Sequence, residues 1–345
     1  MNTTFRFKAW NALQTFRIHH KQAYRYGKYI YLRIKNKGAL EHKTSYGTKN
    51  PNTTIYIIRP PLNTNEGLMS LFNKTAREID FAYRKGYIPV VDWKNYPTQY
   101  SDNHNDVWDY YFEQPGSISI AEAYESKNVI ESGYTMNDQD DMSIFSRKGI
   151  IDDGIIIEGA RSSKAFADAH IRIKKEWLDI IETESKRLDI TECIGLYARG
   201  TDYTSLKPVG EPIQPTMDML IEKAEQYKTK YGGPIFLVTE DKKIADEIKE
   251  RIQDVRTIHD DILIDNYTGK DYLSRASKNT DMDKRLSGGI YLVKILLLSK
   301  CKYFIGGTTQ GTVASIGFNG GLYDDAHIFD LGYYTSIKDG FRARQ

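Results

Sequence analysis

The sequence predicts an α/β protein built from two doubly wound, Rossmann-like domains that face each other across a cleft. Three observations lead there. Apolar, strand-like runs alternate with amphipathic helical stretches through the second half, a strand–helix–strand unit stands nearer the start, and a long region of weak signal separates the two. Unbroken alternation would have favoured a barrel. At 345 residues the chain is also too long for one ordinary core.

Taken in order, residues 54–59 (TIYIIR) read as a strand and 60–67 (PPLNTNEG) as a loop. Helical spacing of Leu68, Leu71, Phe72, Ile79 and Ala82 predicts a helix over 68–85, which Gly86 stops. Residues 87–93 (YIPVVDW) are the second strand, and so short a βαβ unit implies parallel pairing. Residues 105–114 read as a short helix carrying Trp108, Tyr110, Tyr111 and Phe112, with little signal from there to 159. One long helix over 161–187 bridges the halves. Then strand 193–199 precedes a helix near 215–231, strand 235–239 a helix over 241–252, and a short strand lies near 255–258. Helix 288–300, strand 302–306, helix 309–318 and strand 326–330 complete the order. The expected division is an arm over 1–50, a first α/β domain over 51–160, a linking helix over 161–190, a second α/β domain over 191–332 and a tail over 333–345.

Composition narrows the class. The chain is 40% hydrophobic and 27% charged, as a soluble globular protein is, and it holds 25 tyrosines against 13 phenylalanines. Its two cysteines, Cys193 and Cys301, lie in apolar segments and make neither a disulfide framework nor a zinc spacing, which favours a reducing, cytoplasmic compartment. No apolar run approaches a membrane span, and the start has no signal-peptide core. The net charge of +2 is unevenly spread: residues 1–50 carry 11 Lys/Arg and one acid, against 37 Lys/Arg and 45 acids in the remainder. The N-terminal bases are interleaved with Phe5, Phe7, Trp10, Leu13, Phe16 and several tyrosines. That mixture suits a helix lying peripherally on an anionic membrane surface, such as the inner face of the cytoplasmic membrane. A flexible solvated arm has the same composition. Nucleic-acid binding finds no supporting aromatic motif elsewhere in the chain.

Three segments of the second half carry chemistry. In the first, 197–203 (YARGTDY), Arg199, Asp202 and Tyr203 follow a strand, where an open α/β sheet binds its ligand. Arginine's planar fork suits a phosphate. In the second, 235–241 (IFLVTED), Glu240 and Asp241 end a strand as a helix cap or as contacts to a ribose or base. In the third, 302–312 (KYFIGGTTQGT), a strand leads into Gly306, Gly307, Thr308, Thr309, Gln310 and Gly311 at a helix start. Free amides there form an anion site, and three glycines exceed what one structural turn needs. Together the first and third segments describe a diphosphate site. Two Asp-x-Asp triplets, 138–140 and 281–283, lack a preceding strand and are not read as metal ligands.

In this order the three segments resemble the motifs of the fucosyltransferase-like GT-B superfamily, and the region 87–115, with its VVDW and WDYYFEQP, resembles a bacterial branch associated with surface-polysaccharide assembly. The resemblance implies a GT-B-like fold and an inverting, metal-independent transferase using GDP-fucose as donor and a glycan or lipid-linked glycan as acceptor. It puts Arg199 on the pyrophosphate-gripping arginine, Asp202 on the acid of the first motif, and Thr309 and Gln310 on the phosphate-touching pair. Asn65 and Gly67 fall on a loop that reaches the donor from across the cleft. Tyr197 replaces the α-1,6 enzymes' histidine and Gly200 their second arginine, while Lys294 lies near their guanine-binding aspartate. Counting from Asp202 to their base glutamate reaches Lys207, and the nearest acid is Glu211. Glu211 is therefore the first choice of base, with Asp202 and Asp92 in reserve; Asp92 and Trp93 are expected on the acceptor side. A sugar- or nucleotide-binding protein without catalysis is the competing reading.

Overall fold

The computed structural model describes residues 40–334 apart from 61–65, 97, 103–104, 134–142, 200, 266 and 268–282, with scattered positions between 8 and 34. Thr201 and Asp202 are described as backbone only.

The first sheet contains β1 (His42–Thr44), β2 (Ile55–Ile58), β3 (Ile88–Val91) and β4 (Val129–Glu131), in the spatial order β1-β4-β2-β3. β4, β2 and β3 run parallel, and β1 joins the edge antiparallel to β4. Every residue of β2 is fully buried, as a central parallel strand covered on both faces requires. Helix α1 (Leu68–Arg84) connects β2 to β3 and buries the expected Leu68, Leu71, Phe72, Ile79 and Ala82. β1 belongs to the segment expected as an arm, and β4 to the region of weak signal; both are three-residue strands, too short to show a period.

The single helix expected over 161–187 is two, α2 (Gly159–His170) and α3 (Lys175–Leu188). Between them the chain is extended. Ile173 bridges Phe112 antiparallel, Glu113 N donates to Arg172 O at 2.8 Å, and Lys174 N donates to Tyr111 O at 2.9 Å. The alternating Ile171-Arg172-Ile173 suits strand-like pairing, and residues 111–113 supply the partner.

The second sheet holds β5 (Ile194–Tyr197), β6 (Ile235–Val238), β7 (Val255–Arg256), β8 (Tyr303–Gly307) and β9 (Asp325–Phe329), ordered β9-β8-β5-β6-β7 and parallel throughout. The chain starts in the middle, runs outward to β7, then crosses to β8 on the other side, so its order reverses between β5 and β8. Helix α4 (Thr201–Leu206) follows β5; α5 (Met217–Tyr231), α6 (Lys242–Arg251), α7 (Lys284–Leu298) and α8 (Gln310–Asn319) make the crossings. This is the doubly wound α/β arrangement expected. α7 is buried at every position from Gly288 to Leu298, as its nearly unbroken apolar sequence dictates.

One continuous apolar cluster joins the two units, drawing on β2, α1, α7 and α8. Phe72 of α1 stacks on Phe318 of α8 at 5.2 Å and meets Phe145 edge-on at 5.2 Å. Among the described residues, no helix is long and apolar enough to cross a membrane.

Candidate functional site

The reversal between β5 and β8 opens a crevice at the carboxyl ends of those strands, the place where sheets of this type take ligands. β5 delivers Arg199 two residues beyond its end. The Arg199 guanidinium pairs with Glu240, Nη1 to Oε2 at 2.6 Å, and lies 5.7 Å from the centre of the Tyr203 ring. Both partners of the ion pair are partly open to solvent, at 19% and 27% of their side-chain surface. Glu240 thus holds Arg199 in place. Asp241 does something different: buried, it caps α6 by accepting from Lys243 N at 2.8 Å. Beneath this turn Lys294 donates to Thr239 O at 2.8 Å and to Asp261 Oδ1 at 2.6 Å.

β8 leads straight into α8. Thr309 caps the helix, its Oγ1 accepting from Thr312 N at 3.1 Å, and Thr308 Oγ1 donates to Phe329 O at 3.2 Å. Both threonines are buried, whereas Gln310 is exposed. Gln310 also ties the two units together: Asn73 Nδ2 of α1 donates to its backbone O and to its Oε1, at 3.0 and 2.9 Å. The glycines have packing reasons of their own. A Cβ at Gly307 would lie 2.3 Å from Gln214 Oε1, and one at Gly311 would lie 2.5 Å from the Tyr197 hydroxyl and 2.7 Å from that of Tyr291. What this turn offers an anion is its first-turn amides, which lack intrahelical acceptors, together with the exposed Gln310. The glycine count and the threonine hydroxyls are not part of it. Tyr197, where the resembling family has a histidine, is buried beneath α8, its hydroxyl 2.9 Å from that of Tyr291.

Glu211 lies on the loop after α4, fastened from behind by 332–334: Gly210 N donates to Tyr334 O at 2.7 Å and Tyr334 N to Glu211 O at 3.1 Å. Its side chain is exposed, with charged groups of both units near it. Lost hydration there, with the charge of Glu66 adding, raises its carboxyl above the usual carboxylate range; Arg147, Lys74 and Arg199 pull the other way. Those charges place Glu211 among groups from both units. Glu66 precedes Gly67, the residue before α1, and is held by Ser70 Oγ at 2.6 Å and by Lys74. A segment of the first unit also reaches in. Gln99 Nε2 donates to Glu66 O at 2.8 Å, and the charges of Glu240 and Arg199 act on the Tyr100 phenol.

The remaining expected residues are placed as follows. Gly67 has open space where a side chain would be. Asn65 lies outside the described residues, as do 138–140, 281 and 282; Asp283 caps α7. Asp202 sits in α4, its side chain not described. Asp92 is fully buried with both oxygens engaged: Oδ1 accepts from Lys94 N and Asn95 N, and Oδ2 accepts from Asn95 Nδ2 and the Tyr124 hydroxyl. Trp93 is a core residue, edge-on to Trp108 at 5.4 Å, and cannot stack on a ligand from there. The apolar run of 87–93 already pointed inward; Trp93, at its end, follows that run into the core.

No protein-family model matches the chain, and no curated protein does. Among solved structures, the NodZ fucosyltransferase from Bradyrhizobium is 14% identical with a TM-score of 0.47, over 81% of this chain and 96% of that one. A variant of Arabidopsis thaliana FUT1 in complex with GDP is 10% identical with a TM-score of 0.45, over 86% of this chain and 75% of that one. At such values the weight falls on the geometry of the crevice itself.

Sequence reasoning passed over Asn73 and Gln214. Each is a buried amide facing the start of α8, and each leaves its side-chain oxygen without a hydrogen-bond partner among the described atoms. The available signal was a polar residue inside an otherwise apolar helical face at Asn73.

Proposed function

We infer that the protein is a glycosyltransferase. It moves a sugar from a nucleotide-sugar donor to a glycan acceptor, with inversion and without a metal. The motif resemblance adds GDP-fucose as the donor and bacterial surface-polysaccharide assembly as the setting. One observation carries the reading: the strand order of the second sheet reverses between the strand that delivers Arg199 and the strand that opens α8. A diphosphate laid in that crevice meets a guanidinium on one side and helix-terminal amides on the other.

Transfer in one displacement forms a bond from the acceptor oxygen to the anomeric carbon as the bond to the diphosphate oxygen breaks. The acceptor proton must leave, and the departing diphosphate's charge must be stabilised. Arg199, exchanging Glu240 for phosphate, and the first turn of α8 serve the second need. Glu211 serves the first: its carboxylate takes the proton, and a raised pKa makes it a better acceptor near neutral pH. From the first unit, the charge of Glu66 acts on Glu211. Thermal-shift titration with GDP, UDP, CDP and ADP tests the donor site. One of them should stabilise the wild type, and Arg199→Ala should weaken that nucleotide by about 1.5–3 kcal/mol, the loss of a charged hydrogen-bonding group. Equal affinity in the variant rejects the site. Nucleotide binding without donor hydrolysis or transfer to any acceptor leaves the non-catalytic binder.

The N-terminal arm is assigned to an anionic membrane surface. Its described residues are largely helical and expose Leu13, Phe16, Tyr26, Ile30, Tyr31 and Ile34 in a basic sequence context. Removing residues 1–39 should abolish sedimentation with anionic vesicles while leaving nucleotide binding intact. Undiminished sedimentation excludes this role.

A further inference from the structure

Beyond the carboxyl end of the edge strand β3 a pocket of about 570 Å³ opens in the first unit, well away from α8. Its size falls in the range of small-ligand sites. Its wall mixes donors and acceptors: Lys94, Asn95 and Asn105 line it together with Asp106 and Asp109. Tyr110 and Tyr124 add aromatic surface, and Ile120 and Ala121 add small apolar patches. Asp106 is buried and fixed, accepting from Trp108 N at 2.8 Å. Burial, with the charges of Asp109 and Asp92 adding, pushes its carboxyl up to about 8, so at neutral pH it both donates and accepts. Asp92 acts from behind, fixing Asn95 Nδ2 at 2.9 Å and the Tyr124 hydroxyl at 2.7 Å.

This lining excludes the obvious alternatives. A phosphate would face two carboxyls with one ammonium to offset them, and an apolar ligand would cover the charged groups of Lys94 and Asp109. A pyranose ring matches it: each neutral hydroxyl donates and accepts, and the ring's C–H faces lie well against tyrosine. The pocket is joined to the donor crevice by one segment. Leaving the pocket at Asn95, the chain passes Gln99, bonded to Glu66 O, and Tyr100, within reach of the Arg199 and Glu240 charges, and re-enters it at Asn105.

We propose that this pocket binds a pyranose unit of the acceptor glycan. Its place in transfer rests on the glycosyltransferase reading; its affinity for a saccharide does not. The test is saturation-transfer NMR on the full chain with methyl glycosides of glucose, galactose, mannose, fucose and N-acetylglucosamine. At least one should give signal with the wild type. Two substitutions at exposed positions, Ala121→Trp to fill the mouth and Asp109→Ala to remove an acceptor, should each cut it about tenfold, the effect of one lost charged hydrogen-bonding partner or its equivalent in space. The nucleotide-induced thermal shift should stay unchanged in both. Silence from every glycoside, or full signal in both variants, overturns the proposal. A wild type that binds nucleotide but no glycoside sinks the pocket alone, and one that binds glycoside but no nucleotide sinks the donor site alone.

Discussion

The two sheets carry the same pair of groups at comparable stations and use them oppositely. Arg59 follows β2 directly and Arg199 comes two residues after β5, and each meets a glutamate at or just past the end of a neighbouring strand. In the first sheet the partner is Glu131, at the end of β4, on the side where that sheet's own strand order reverses. The pair therefore fills the crevice. Arg59 Nη1 lies 2.7 Å from Glu131, its Nε donates to Ser132 O at 2.8 Å, and the two side chains keep only 2% and 4% of their surface. In the second sheet the partner Glu240 comes from β6, away from the reversal, and the crevice beside β8 stays free for α8's first turn. An arginine at a strand end is thus no functional signal in itself. The strand that supplies its acid decides whether it plugs a site or lines one.

That contrast can be broken by mutation. Arg59→Ala takes the guanidinium from the buried Glu131, leaving it Tyr46 and His42, and should cost about 3–5 kcal/mol, read from urea unfolding; a variant as stable as the wild type would contradict the buried-plug description. Next in size, Glu211→Gln should lower the transfer rate about 100-fold or more, as loss of a general base does. The pH profile carries the sign. Below its raised pKa Glu211 is protonated and cannot accept a proton, so the wild-type rate climbs as pH rises through a value above the usual carboxylate range, and the variant should lose that limb. If the limb survives in the variant, another group is the base. Smallest is the effect of Arg199→Ala on stability, within about 1 kcal/mol for a partly exposed pair, despite its effect on nucleotide. A large loss there would make Arg199 a second plug.

The second sheet was the more legible. Its strands are buried on both faces and read as short apolar runs between helical stretches, so 194–197, 235–238 and 303–307 stand out unaided. The first sheet hid two strands because β1 and β4 are three residues long, and the helix break at 171–174 depends on a backbone partner sixty residues away. At the site, Arg199 and the start of α8 were readable because topology alone places strand ends. The hold of Glu240 on Arg199, the burial of Trp93 and the packing reasons for Gly307 and Gly311 were not, since each is set by a neighbour distant in sequence.

Gly288 and Gly289 mark where α7 meets the other half of the molecule. A side chain on the first would collide with the Tyr111 ring, and one on the second with Trp177. Contact this close is continuous with the apolar cluster the two units share. For the two sites proposed above, this packing sets the spacing between them when the chain folds, like the gap of a gauge, before anything binds.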